Sequence, residues 1–253
     1  MVVVRSILFN ILFYLNLIVL LIAAIPTLLM PQRAIIEMAK LWGRTSLWML
    51  RVVCRVNVEW RGVEKIPQGP LIVAAKHQSA WETFALLPLF DNPTFIIKRE
   101  LTWVPLFGWF CGKGGMIAVD RGSGSQALTA MTVRAREVIR GGRQLFIFPE
   151  GTRRPAGAEP RYKFGVAHLY DVIGVPCVPV ALNSGLFWPR RSFLRFPGTI
   201  VVEFLDPIEP GLDKAVFFAR LQADVEAATA RLIAEGGRTL SRGGAAASSE
   251  AAS

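Results

Sequence analysis

The chain holds two histidines, His77 and His168. His77 stands in the stretch Lys76-His77-Gln78-Ser79-Ala80-Trp81-Glu82, five positions before a carboxylate and directly after the apolar run Leu71-Ile72-Val73-Ala74-Ala75. Imidazole is the side chain whose ordinary pKa suits proton transfer near neutral pH. A carboxylate within reach of its second ring nitrogen fixes the tautomer and stabilises the imidazolium that forms. An apolar run ending at His77 predicts a buried strand that aims the ring, with Glu82 in the first turns of the next helix. Glu82 also has a plainer reading, because an acidic residue is favoured at a helix N-terminus by the macrodipole. His168 lies in a helical stretch after Gly165 and reads as structural.

Three further blocks put polar residues at the ends of apolar runs. The first is Gly114-Gly115-Met116-Ile117-Ala118-Val119-Asp120-Arg121, where Arg121 can either grip a phosphate in bidentate fashion or pair with its neighbour Asp120. The second is Phe146-Ile147-Phe148-Pro149-Glu150-Gly151-Thr152-Arg153, continuing into Arg154. A strand that ends in a Pro-Glu-Gly turn presents backbone amides and an arginine together, which suits an anion. In open α/β sheets that edge is where ligands bind. The third is Val175-Pro176-Cys177-Val178-Pro179-Val180, whose two prolines predict an edge strand or a channel wall.

In order and spacing these blocks resemble the glycerolipid acyltransferase family, over roughly residues 71–182. His77 matches the family's motif of a His, four variable residues and an Asp, with Glu82 in place of the Asp. Gly115 through Arg121 match the second motif with looser spacing. Phe148 to Arg153 carry the full Phe-Pro-Glu-Gly-Thr-Arg third motif, and Val175 to Val180 match the fourth.

The resemblance implies transfer of a fatty acyl group from acyl-CoA or acyl-carrier protein to the sn-2 hydroxyl of 1-acyl-glycerol-3-phosphate. The product would be phosphatidic acid, in phospholipid biosynthesis. On that reading His77 is the general base and Glu82 its orienting partner. Arg153, then Arg121 and Lys163, hold the acceptor's phosphate. Glu150 positions those cations or the glycerol, and amides near Gly151 and Thr152 face anionic oxygen. No metal or redox cofactor is implied. Another lysolipid acceptor, such as a lyso-ornithine lipid, would use the same chemistry. A non-catalytic membrane lipid-binding protein and an acyl-thioester hydrolase are the rivals from other classes.

Positioning such residues needs a sheet, and the pattern supplies one. Apolar runs of strand length fall at 56–60, 71–75, 94–97, 116–119, 144–148, 177–182 and 199–204, with helical stretches at 81–89, 125–140, 165–173 and 214–234. The alternation predicts an α/β domain over 56–235, with a mostly parallel central sheet covered by helices on both faces. The Gly/Ala/Ser-rich stretch 236–253 reads as a disordered tail. Cys54, Cys111 and Cys177 are odd in number and lack metal-ligand spacing, as expected in a reducing compartment.

Residues 1–55 read as a membrane-associated helical segment. The chain is 52% hydrophobic with a formal charge of +10, and its mean hydropathy is +0.39. That combination fits anionic headgroups better than nucleic acid, which has no use for so apolar an N-terminus. Residues 6–25 are uncharged and long enough for about 30 Å of helix, which makes them a candidate transmembrane helix, longer than a signal peptide's core. In 33–55 the charges Arg33, Glu37, Lys40, Arg44, Arg51 and Arg55 fall on one narrow helical stripe beside a wide apolar body, a pattern suited to the interface. Basic residues cluster after the apolar segment. An inner or cytoplasmic membrane is therefore expected, with the catalytic domain on the cytoplasmic face.

Overall fold

A computed structural model describes residues 1–120 and 124–250. Its centre is a seven-stranded sheet in the order β1-β7-β6-β2-β5-β3-β4. The strands are β1 (Val56–Arg61), β2 (Leu71–Ala75), β3 (Pro93–Lys98), β4 (Ile117–Val119), β5 (Gln144–Ile147), β6 (Cys177–Leu182) and β7 (Gly198–Phe204). All neighbours run parallel except β6 and β7. The mostly parallel α/β architecture expected from the alternating apolar runs is therefore the one found.

β2 shows why its sequence has no polar position. Leu71, Val73 and Ala75 point into one apolar cluster, while Ile72 and Ala74 point into another on the opposite face. Successive strand residues alternate faces, so a strand covered on both sides must be apolar throughout. The first face is covered by α1 (Val2–Ala23), α2 (Gln32–Cys54) and the short α3 (Glu82–Ala85). The second is covered by α5 (Gly124–Arg140), α6 (Gly165–Ile173) and α8 (Lys214–Glu250). Two smaller helices, α4 (Phe107–Lys113) and α7 (Ser184–Phe187), complete the order.

Three expectations need correction. β6 is not an edge strand, since it lies between β7 and β2. Pro179 is tolerated because its backbone nitrogen and carbonyl face the β7 side just where β7 has ended. There Leu205 N–H reaches the Pro179 carbonyl and Cys177 bridges to Ile208. The helix expected over 81–89 is only α3 followed by a 3-10 turn at Leu87–Leu89, because Pro88 cannot donate within a continuing α-helix. The last helix runs to Glu250, past Gly236, where composition placed the start of a tail. Gly236 is itself packed: a Cβ there would lie 2.8 Å from Leu186 Cδ1 and 2.9 Å from Asn183 Nδ2.

The N-terminal helices pack into the same core as the sheet. Phe9 and Phe13 share a cluster with Leu71, Val73, Phe84 and Phe146, and burying each ring contributes roughly 1.5–3 kcal/mol. Ser6 and Asn10 tie α1 to the loop before β7: Ser6 Oγ accepts from Arg195 N–H at 2.9 Å, and Asn10 Oδ1 accepts from the Arg195 guanidinium at 3.0 Å. The other face of α1 is apolar and exposed along its whole length, through Val4, Ile7, Leu8, Ile11, Leu15, Ile18 and Ile22. By length and composition α1 could cross a membrane. On α2, Leu41, Trp48 and Val52 are exposed in the same way. One charge of the α2 stripe turns inward: Lys40 is buried and donates to Glu37 and to the Asp91 carbonyl, both at 2.8 Å.

Candidate active site

β2 and β5 are hydrogen-bonded neighbours with Ala74 opposite Ile147. The segments beyond their ends are therefore brought side by side: His77 after β2, and Phe148 to Arg154 after β5. The turn grips His77 three ways. The Phe148 ring stacks on the imidazole, with centroids 4.0 Å apart. Glu150 Oε2 accepts the His77 backbone N–H at 2.9 Å, and Arg154 N–H donates to the His77 carbonyl at 2.8 Å.

Glu82 holds the ring's far side. Its Oε1 lies 3.0 Å from His77 Nδ1 and also accepts the N–H groups of Gln78 and Ser79, each at 2.7 Å. Its Oε2 accepts from Ser184 Oγ at 2.9 Å. The carboxylate is fully buried, and four donors compensate its lost hydration. Glu82 is also the first residue of α3, so the macrodipole and the histidine partnership both apply. An acceptor at Nδ1 places the ring proton there and leaves Nε2 as the basic nitrogen.

His77 forms part of the wall of a cavity of about 600 Å³, within the range usual for small-ligand sites. Thr83, Lys98, Thr152 and Arg153 are its other polar or charged lining residues. The rest is apolar and comes from α1 (Leu17, Leu20, Leu21), α2 (Ile35, Ile36, Trp42), β3 (Phe95, Ile97) and α4 (Phe107, Phe110). The helices assigned from sequence to a separate membrane segment thus build one side of the site.

The structure sorts the sequence-derived residues. His77, Gly151, Thr152 and Arg153 meet at the cavity, and Glu82 stands behind His77. Glu150 does not face the cavity. Its buried carboxylate is spent on the His77 N–H and on Lys76, whose Nζ is 3.0 Å away. The Gly151 N–H donates to the Phe148 carbonyl at 2.9 Å, so it closes the turn instead of meeting an anion. Gly151 sits at φ +65°, the left-handed conformation that this turn requires of it. Lys163 is exposed and not part of the lining; its stem packs beside Gly151 and its N–H donates to the Pro149 carbonyl at 2.7 Å. Arg121 lies outside the described residues, and its neighbour Asp120 pairs with Arg99 at 3.3 Å. Sequence reasoning missed Lys76, Ser184 and the stacking role of Phe148. Only Lys76 carried a signal, being a lysine directly after a fully apolar strand.

Fold and site together define a class: an α/β protein with a carboxylate-oriented histidine in the wall of an apolar cavity that its own N-terminal helices help to build. The chain belongs to the acyltransferase family, whose model matches residues 57–183. It is 40% identical over 161 residues to the 1-acyl-sn-glycerol-3-phosphate acyltransferase of Pseudomonas aeruginosa, covering 64% of this chain and 63% of that one. It is 30% identical over 191 residues to the mouse 1-acyl-sn-glycerol-3-phosphate acyltransferase alpha, covering 74% of this chain and 66% of the other. The match thus spans just under two thirds of these relatives' length. Its fold is similar to the crystal structure of the 1-acyl-sn-glycerophosphate acyltransferase PlsC from Thermotoga maritima. There the TM-score is 0.74 at 20% identity, over 90% of this chain and 97% of that one.

Proposed function

We propose that this protein transfers a fatty acyl group from acyl-CoA or acyl-carrier protein to the sn-2 hydroxyl of 1-acyl-glycerol-3-phosphate, forming phosphatidic acid. The observation that carries this reading is the placement of His77, hydrogen-bonded to Glu82, in the wall of the same apolar cavity as Arg153. A proton acceptor, a cation and an acyl-sized apolar space are the three things the reaction needs. The names of the relatives agree with it.

In this mechanism His77 Nε2 takes the proton of the acceptor hydroxyl as that oxygen bonds to the thioester carbonyl carbon. Glu82 stabilises the imidazolium. The tetrahedral adduct then expels the thiolate, the C–S bond breaks, and His77 returns its proton to sulfur. Atoms and charges balance without a covalent acyl-enzyme. Arg153, with Thr152 beside it, binds the acceptor's phosphate and so places the hydroxyl at His77. Arg121 and Lys163 are secondary candidates for that anion. The exposed apolar faces of α1 and α2 lie in the bilayer interface, so the lysolipid reaches the cavity without leaving the membrane. A cytoplasmic membrane face suits the donors and the basic residues beyond α1.

The test is thin-layer analysis of labelled acyl-CoA with 1-acyl-glycerol-3-phosphate, for wild type and His77→Ala. Labelled phosphatidic acid from wild type, reduced about 10²–10⁴-fold in the variant, is expected. Label appearing only on a lyso-ornithine acceptor, or only as free fatty acid, would overturn the assignment.

A further inference from the structure

Behind the site, on the side away from the cavity, lies a chain of buried polar groups that the reaction scheme does not use. Lys76 follows the last residue of β2 and precedes His77, and its side chain is 2% exposed. Its ammonium donates to Glu226 Oε1 of α8 at 2.6 Å and forms an ion pair with Glu150 Oε1 at 3.0 Å. Tyr162 donates its hydroxyl to the same Glu226 oxygen at 2.9 Å. Glu150, whose side chain is 0% exposed, uses its second oxygen on the His77 N–H. An unbroken path thus runs from α8, through Lys76 and Glu150, to the peptide that carries the general base.

A buried carboxylate needs compensation. Burial pushes the Glu150 carboxyl above its ordinary range; the Lys76 charge and the His77 N–H oppose that, and the Glu226 charge adds to it. The groups facing Glu150 are therefore Lys76, His77, Glu226 and Tyr162, whose hydroxyl also bonds Glu226. Nothing in a core demands a lysine here. An apolar residue would extend β2, and the loss of the lysine would leave Glu150 without a cation.

We propose that Lys76 is a positioning residue of the acyl-transfer site: held by Glu226 and Tyr162, it keeps the Glu150 carboxylate on the His77 N–H and thereby fixes the peptide from which the imidazole projects. The proposal rests on the acyl-transfer reading for its effect on turnover, but its structural half can be read without any substrate.

The chain's two histidines make the test clean, because selective ¹⁵N-histidine labelling gives only two backbone amide resonances, His77 and His168. The His77 amide reports the protonation of the carboxylate it donates to, as the transition that Glu150→Gln abolishes. Removing the cation in Lys76→Met should raise the pH midpoint of that resonance by about one unit or more. Removing the second anion in Glu226→Gln should lower it. The expected order is Glu226→Gln, then wild type, then Lys76→Met. Turnover of Lys76→Met should fall about tenfold to a hundredfold with KM little changed, and its acid limb should move to higher pH along with the amide midpoint. A merely structural lysine would lower activity equally at every pH.

If Lys76→Met does not fold, Lys76→Gln, which also removes the charge but keeps a donor for Glu226, carries the same decision. Midpoints that coincide in wild type and whichever variants fold would overturn the role given to Lys76. A wild type that acylates no lysolipid would instead sink the acyl-transfer reading, while the amide titration still decided whether Lys76 governs Glu150.

Discussion

The imidazole of His77 lies on the ring of Phe148, with the two planes 15° from parallel. The stack comes from strand pairing: β2 and β5 run in parallel register, so the residues past their ends share one edge of the sheet. It fixes the ring's plane, while Glu82 fixes its rotation about the Cβ–Cγ bond through Nδ1. In the proposed mechanism, a base held in plane and in rotation starts close to its reactive geometry. Phe148→Leu keeps an apolar side chain but removes the flat surface. Turnover should fall about tenfold, with little change in KM, in steady-state acyl-transfer assays. An unchanged turnover would mean that Glu82 alone orients the ring.

Glu82 separates geometry from charge. Glu82→Asp installs the family's usual residue but withdraws the carboxylate by about 1.5 Å, one C–C bond. All four of its hydrogen bonds, now at 2.7 to 3.0 Å, would stretch together. The variant should lose stability by about 1–3 kcal/mol and should turn over more slowly, despite matching the family pattern. Glu82→Gln keeps the shape and still offers an oxygen to the two N–H groups and an NH₂ to Ser184, so its melting temperature should stay within a few degrees of wild type. Without the negative charge the imidazolium is not stabilised, and turnover should drop about 10²–10⁴-fold. Denaturant melts and kinetics on both variants distinguish the two effects.

Arg153 is exposed at the cavity and no described side chain pairs with it. If it receives the acceptor's phosphate, Arg153→Ala loses a charge-assisted contact of about 1.5–3 kcal/mol, or roughly 10- to 150-fold in KM for the phosphate-bearing acceptor. Arg153→Lys should recover only part of this, because an ammonium lacks the planar fork. The KM for acyl-CoA should stay within about twofold, if the contact is with the acceptor's phosphate alone. A larger effect on the donor would move Arg153 to the CoA or carrier side of the site.

The features legible in the sequence were local. β2, β6 and α6 lie at the expected boundaries because each is a short apolar run or amphipathic turn set between prolines, glycines or charges. The pairing of His77 with Glu82 was legible for the same reason, being five residues apart. The α4 segment, Phe-Gly-Trp-Phe-Cys-Gly-Lys, was not, since two glycines and three aromatics give no helical preference that outweighs the alternatives. The roles of Lys76 and Glu150 were illegible because they depend on distance along the chain. Lys76 meets Glu226 across 150 positions, and Glu150 meets the His77 peptide across 73. The internal placement of β6 likewise depends on where β7 ends, which no pattern within 175–180 contains.

Arg195 decides how α1 is held. Its guanidinium lies 3.8 Å over the Trp188 ring and donates to Asn10 Oδ1, while its own N–H reaches Ser6 Oγ. Two polar residues in the first half of this mostly apolar helix thus find their partners in the globular part of the chain, not in lipid. Arg195→Ala removes a buried cation–π contact of about 2 kcal/mol and leaves Asn10 Oδ1 without its donor, so a destabilisation of roughly 2–4 kcal/mol is expected in detergent. The cavity is lined by the later residues Leu17, Leu20 and Leu21, about two to four helical turns beyond this clasp. Limited proteolysis near residues 6–10 should therefore accelerate several-fold while turnover at low temperature falls much less. A helix held only by the bilayer would behave differently. In detergent it would already be loose in the wild type, and Arg195→Ala would change neither the melting temperature nor the cleavage rate.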